Sequence, residues 1–236
     1  MPAKKSITSN PETPKPLLVR AAAKTLTVSA ADFLPSNESL PTLRDAARGC
    51  RGCDLWKNAT QTVFGEGNKG STVMMVGEKP GDKEDLAGRP FVGPAGALLD
   101  RALDAAVIDR EKVYVTNAVK HFKWTPKGRM RIHKKPSTRE IAACRPWLDA
   151  ELRTVRPRIV VCLGSTAAQA LLGKDFKVTQ QRGEFIEKDG GILFTATVHP
   201  SSILRSPDDE TRHREMDLFI RDLKKVAGVL RERRAA

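Results

Sequence analysis

The stretch TVMMVGEKPGDKED, residues 72–85, decides the fold. Its first half is an apolar run of strand length that closes on Gly77; its second half is charged and broken by Pro80 and Gly81. A short apolar run without polar alternation suits a strand buried on both faces. Three further runs read the same way: Val113–Asn117, Arg158–Gly164 and Ile192–Val198. Helical patterns lie between them, and strands alternating with helices predict an α/β fold. The expected architecture is a three-layer α/β/α sandwich with a central four-stranded parallel sheet. Each run ends in polar sequence: GEKPGDKED (77–85), Asn117 and a basic loop, Gly164-Ser165-Thr166, and HPSS (199–202). Ligands of open parallel sheets bind beyond the carboxyl ends of the strands, so one crevice is expected to collect all four.

The helices carry their own signals. Pro94 opens one that places Leu98, Leu99, Ala102 and Leu103 on one face. Ser137 and Glu140 form a capping-box signature for another, with Ile141, Cys144, Leu148 and Leu152 inward and Pro146 expected to kink it. Thr166–Leu172 and residues 208–230 complete the set. Ahead of the first strand a helix starts near Pro41-Thr42, burying Leu43, Ala46, Ala47 and Cys50. Residues 1–40 read as a disordered, basic, Pro-rich tail, and residues 41–236 as the domain.

Net charge is +13 among 236 residues, which favours a polyanionic partner over a merely soluble surface. Residues 120–135, KHFKWTPKGRMRIHKK, hold seven Lys or Arg and no acid, with Phe122 and Trp124 interleaved. Such a loop suits phosphates and unstacked bases, with Lys120, Lys123, Lys127, Arg129 and Lys134 as candidate DNA contacts. A solvated loop is the bland alternative. With no apolar run near ~18 residues, the expectation is a soluble, cytoplasmic monomer with no membrane partner, nucleoid-associated if bacterial.

In a reducing compartment four cysteines point to metal. Cys50 and Cys53 form C-x2-C, Cys144 lies on a helix, and Cys162 sits in a strand. Spacing alone leaves zinc, an iron–sulfur cluster and inert core thiols all open.

Taken together, GEKPGDKED, PFVGPAG (90–96), VTNAVKH (115–121), HPSS and the cysteine pattern resemble the family 4 uracil-DNA glycosylases. The segment Arg129-Met130-Arg131-Ile132-His133 looks like the His-containing loop of the UdgX subgroup, whose members become covalently joined to their DNA product. The resemblance spans about residues 42–230. Two departures stand out: Lys79 replaces the usual Gln, and RMRIH replaces KRRIH.

The resemblance implies a uracil-DNA glycosylase-like fold acting on uracil-containing DNA, single-stranded and duplex. It also implies a [4Fe–4S] cluster on Cys50, Cys53, Cys144 and Cys162. Phe91 would stack on the extruded base and Asn117 would pair with it, since an amide offers both a donor and an acceptor. Gly77, Lys79 and Gly81 would line the pocket, and Glu84 would crowd the thymine methyl. His199 would donate to the uracil O2 as charge develops there. Ser201 would contact DNA. Glu78 would orient His133 or a water. His133 would capture C1′, kept neutral by Arg131 and nearby lysines. A turnover family 4 glycosylase and a non-enzymatic iron–sulfur DNA-binding module are the competing readings.

Overall fold

The computed structural model describes residues 28–235. The expected tail lies outside the described residues over 1–27. Its last part does not: Ser29 caps a 3-10 turn at Ala30–Phe33 that packs on the helical layer, so the folded unit begins before residue 41.

Four strands lie where the apolar runs predict them: β1 (Val73–Gly77), β2 (Val113–Asn117), β5 (Ile159–Leu163) and β7 (Ile192–Thr197). They are parallel neighbours in the order β2-β1-β5-β7. The sheet has a fifth strand, the antiparallel edge β6 (Ile186–Lys188). The basic loop is also more ordered than expected. It folds back as a hairpin of β3 (Trp124–Lys127) and β4 (Met130–His133), turning at Gly128, whose φ of +58° suits glycine.

Alternate residues of the central strands feed two cores. Val73, Met75, Val115, Val161 and Leu163 pack beneath α3 (Pro94–Ala105), α7 (Pro200–Leu204) and α8 (Asp209–Ala235). Met74, Val76, Val160, Cys162 and Ala196 pack beneath α4 (Thr138–Val155) and α5 (Ser165–Leu172). A third cluster joins the far side of α4 to α1 (Leu40–Arg48) through Leu43, Ala47, Phe64 and Trp147. Ser137 caps α4 with the reciprocal Glu140 contact, and Pro146 lies inside that helix. Two short helices, α2 (Asp82–Ala87) and α6 (Val178–Gln181), complete the fold. Among the described residues no helix is long and apolar enough to cross a membrane.

The architecture therefore sets the carboxyl ends of β1, β2, β5 and β7 side by side. Every expected pocket segment leaves the sheet at that edge.

Candidate active site

A cavity of about 870 Å³ opens at this edge, lined by Glu78, Lys79, Gly81, Glu84, Phe91, Asn117, Gly164, Thr166, His199, Ser201 and Arg205. His133, from the hairpin, lines the same cavity. Two features make it tight at the base of β1. A Cβ on Gly77 would stand 2.4 Å from Asn117 Oδ1 and 2.8 Å from Phe91 Cζ. Phe91 itself has φ of +56°, a conformation that costs a non-glycine residue about 1–3 kcal/mol. Gly96 permits it, because a side chain there would collide with the Phe91 backbone.

Glu84 holds this loop. Its two carboxylate oxygens accept the backbone N–H groups of Gly93 (2.7 Å) and Gly81 (3.1 Å). Both oxygens are thus engaged by the backbone, and the Gly81 N–H is taken. Asn117 is buried, and among the described residues no hydrogen bond uses its side-chain amide. Its donor and acceptor are left for a ligand.

His199 caps α7. Its Nδ1 accepts the Ser201 backbone N–H at 3.1 Å and lies 2.8 Å from Ser201 Oγ. Nδ1 therefore carries a lone pair and Nε2 carries the proton. Burial, then Arg205 and Lys79, push its pKa down to about 4. His199 is a neutral N–H donor, with its ring 6.2 Å from that of Phe91 at 25°.

The surroundings of His133 differ from the expected ones. Glu78 does not orient it: Thr166 Oγ1 donates to Glu78 Oε2 at 2.5 Å. The neighbour is Lys79, whose Nζ lies 3.3 Å from His133 Nδ1. Burial first, then Lys79, lower the imidazole pKa, opposed by Asp82 and Glu84. Arg131 is not the cause. It pairs with Asp82 (2.5 Å) and Asp85 (2.6 Å) and pins the hairpin to α2. Beneath His133 lies Phe122, ring centroids 4.8 Å apart. Phe122 is fully buried, so it forms the hairpin's floor and offers no face to a base.

Two of the candidate DNA cations are spent internally. Lys120 is fully buried, with Nζ 2.6 Å from Glu151 Oε2 and 2.7 Å from Asn117 O. Lys123 pairs with Glu140 at 2.8 Å. Lys127, Arg129 and Lys134 remain exposed on the hairpin. Ser201 lines the cavity and serves His199.

The cysteines divide three to one. Cys50, Cys53 and Cys144 share the α1–α4 cluster. Trp147 Nε1 donates to Cys50 Sγ and the Lys120 N–H to Cys144 Sγ, each at 3.2 Å. Cys162 points into the other core, where the charged groups facing it are Lys188 and Arg145, not the other thiols. It packs apart from the other three, unlike the four-cysteine expectation; burial pushes its pKa up to about 12, as it does that of Cys144. Among the described residues no three Cys, His, Asp or Glu converge as one bare ion requires. A zinc-type set is therefore not assembled there. His121 is a further buried polar group near this cluster that no ligand motif or spacing in the sequence marks. It follows Lys120 in the chain, is buried, and sets Nε2 2.9 Å from Thr62 Oγ1. That hydroxyl donates to Ala47 O, which also accepts the Cys50 N–H. The only hint in sequence was its place at the end of VTNAVKH.

Residues 64–224 match the family model described as the uracil DNA glycosylase superfamily. This chain belongs to that superfamily. Within it, a type-4 uracil-DNA glycosylase of Thermotoga maritima is 35% identical over 196 residues, 83% of this chain and 96% of the relative. One from Saccharolobus solfataricus is 35% identical over 190 residues, 80% of this chain and 82% of the relative. A type-5 uracil-DNA glycosylase of Pyrobaculum aerophilum is 30% identical over 181 residues, 70% and 76%. In this chain the cavity lies at the carboxyl edge of the sheet, and the cationic hairpin brings His133 to its lining.

Proposed function

We propose that this protein is a uracil-DNA glycosylase that excises uracil from DNA and becomes covalently linked through His133 to C1′ of the abasic site. The carrying observation is that His133 lines the same cavity as Asn117, Phe91 and His199. In this reading Phe91 stacks on an extruded uracil and the Asn117 amide pairs with its N3–H and O4. The His199 Nε2–H donates to O2 as the base leaves with the glycosidic electron pair. The sugar is left as an oxocarbenium ion, and Glu78, at the cavity wall, stabilises its charge. The imidazole of His133 then forms the new C–N bond at C1′. Lys127, Arg129 and Lys134 hold the phosphates.

A turnover glycosylase is the second reading. Relatives named type-4 uracil-DNA glycosylases favour it, and it shares every pocket residue. Incubation with uracil-containing single-stranded DNA separates the two. Covalent attachment predicts a band that survives SDS and heat and is lost in His133→Ser. Released abasic product with no such band would leave the turnover enzyme.

The family also implies an iron–sulfur cluster. The three thiols of Cys50, Cys53 and Cys144 fit it: all are soft donors in one packed cluster, and two already accept N–H groups of the kind that tune cluster sulfurs. A multi-iron cluster also spaces its ligands more widely than a single ion does. Cys162 does not fit, and His121, the residue after the Lys120 N–H that donates to Cys144, is the buried nitrogen donor that would complete the set. When bound, the cluster would tie α1 and the C-x2-C turn onto α4. Iron and sulfide content with the visible absorption band tests the assignment: lost in Cys144→Ser, kept in Cys162→Ser.

A further inference from the structure

Lys79 lies between His133 and the acidic wall of the cavity. Its Nζ is 3.3 Å from His133 Nδ1 and 5.1 Å from the centre of the Phe122 ring. The charges facing Lys79 are Glu78 and Glu84. Those facing His133 are Lys79, Asp82, Glu84 and Arg205. Arg131, the cation of β4, is occupied by Asp82 and Asp85. Among the described residues Nδ1 therefore has one close polar partner, and the protonation of that partner decides what Nδ1 does.

An ammonium can only donate. When Lys79 is charged, Nδ1 must accept and the imidazole proton sits on Nε2, which then has no lone pair to give. When Lys79 is a neutral amine, its lone pair accepts from Nδ1–H and Nε2 is free. We propose that Lys79 is a positioning residue that selects the His133 tautomer and so divides the reaction between attachment to the abasic site and its release. The inference rests on the proposed linkage through His133.

The two branches balance. In both, the C1′–N1 bond breaks and its electron pair leaves with uracil. With Lys79 neutral, the Nε2 lone pair forms the bond to C1′, and the Nδ1 proton passes to Lys79 Nζ. With Lys79 charged, the oxygen of water forms the bond to C1′ and its proton passes to solvent. Burial, against the pull of Glu78 and Glu84, lowers the Lys79 pKa from its ordinary value, which brings the switch toward neutral pH.

The experiment measures adduct and released abasic product together, across about pH 6–10, for wild type, Lys79→Met and Lys79→Arg. Wild type is expected to raise its adduct-to-product ratio about tenfold per pH unit until the amine has titrated. Lys79→Met should be flat over the range where His133 is neutral. Lys79→Arg, permanently cationic, should stay on the release branch throughout. In DNA-free protein, ¹⁵N NMR of the His133 ring should show Nε2–H at neutral pH, moving to Nδ1–H as pH rises in wild type but not in Lys79→Arg. An adduct ratio that is flat with pH, or equal in wild type and Lys79→Arg, overturns this inference and leaves the linkage standing. Uracil release with no adduct in any of the three at any pH overturns the linkage and this inference with it.

Discussion

Gly77 and Asn117, paired across β1 and β2, are so close that a Cβ on Gly77 would lie 2.4 Å from Asn117 Oδ1. Gly77 is not among the residues with positive φ, so the constraint is space and not backbone conformation. Gly77→Ala should fold, with an overpacking cost of about 1–3 kcal/mol. It should displace the Asn117 amide and the Phe91 ring together. A misplacement of about 1 Å in a binding group costs roughly 100-fold, and a loss of that size in single-turnover uracil excision is expected. Excision at the wild-type rate would show that Asn117 does not read the base.

His199 gives the chain an acid-sensitive step. An unfolded histidine takes its proton near pH 6.5, whereas folding holds His199 neutral down to about 4. Between those values the unfolded state binds more protons, so stability falls as pH falls through the window and is unaffected above it. His121 behaves alike, with a pKa lowered by burial to about 4. The His199 share is isolated by comparing melting temperatures of wild type and His199→Gln from pH 7 downward. The variant should lose less stability across the window. Parallel curves for the two proteins would contradict a neutral, buried His199.

The four parallel strands were legible because burial on both faces leaves an unbroken apolar run, which nothing else of that length imitates here. The cavity followed from their carboxyl ends. The β3–β4 hairpin was hidden by Pro126 and by cations that read as an unstructured loop. The edge strand β6, three residues long, carries too little pattern. Pairings across long sequence separations were invisible. Glu151 neutralises Lys120 from 31 residues away, and Asp85 claims Arg131 from 46 residues away. Composition showed those cations but not their partners. The separation of Cys162 from the other cysteines was hidden for a related reason: strand alternation gives the face on which a thiol lies, not which other thiols share its cluster.

Lys120 and Glu151 form a structural pair, not a DNA contact. Glu151 also accepts from the Gly65 N–H, Tyr114 Oη and Thr116 Oγ1. Removing one partner leaves a buried, unpaired charge. Lys120→Met should therefore destabilise the protein by about 3–5 kcal/mol in urea unfolding. Lys120→Met combined with Glu151→Gln should recover part of that loss. Equal destabilisation by the single and double variants would mean that the pair is not coupled.

The exposed cations of the hairpin should behave in the opposite way. Lys127, Arg129 and Lys134 stand free of ion pairs among the described residues. Replacing all three by alanine should leave the melting temperature within a few degrees of wild type. Surface substitutions away from packed regions usually change stability by no more than about 0.5 kcal/mol. Affinity for single-stranded DNA should fall, and the log–log salt slope should shrink by about two units, at roughly 0.7 for each phosphate no longer neutralised. Lys123→Ala alone should lose its Glu140 partner without moving the slope. A slope that responds to Lys123→Ala but not to the triple variant would put the DNA backbone along α4 and away from the hairpin. His133 would then lie off the path of the strand, and its approach to C1′ would fail on geometry before any question of protonation arose.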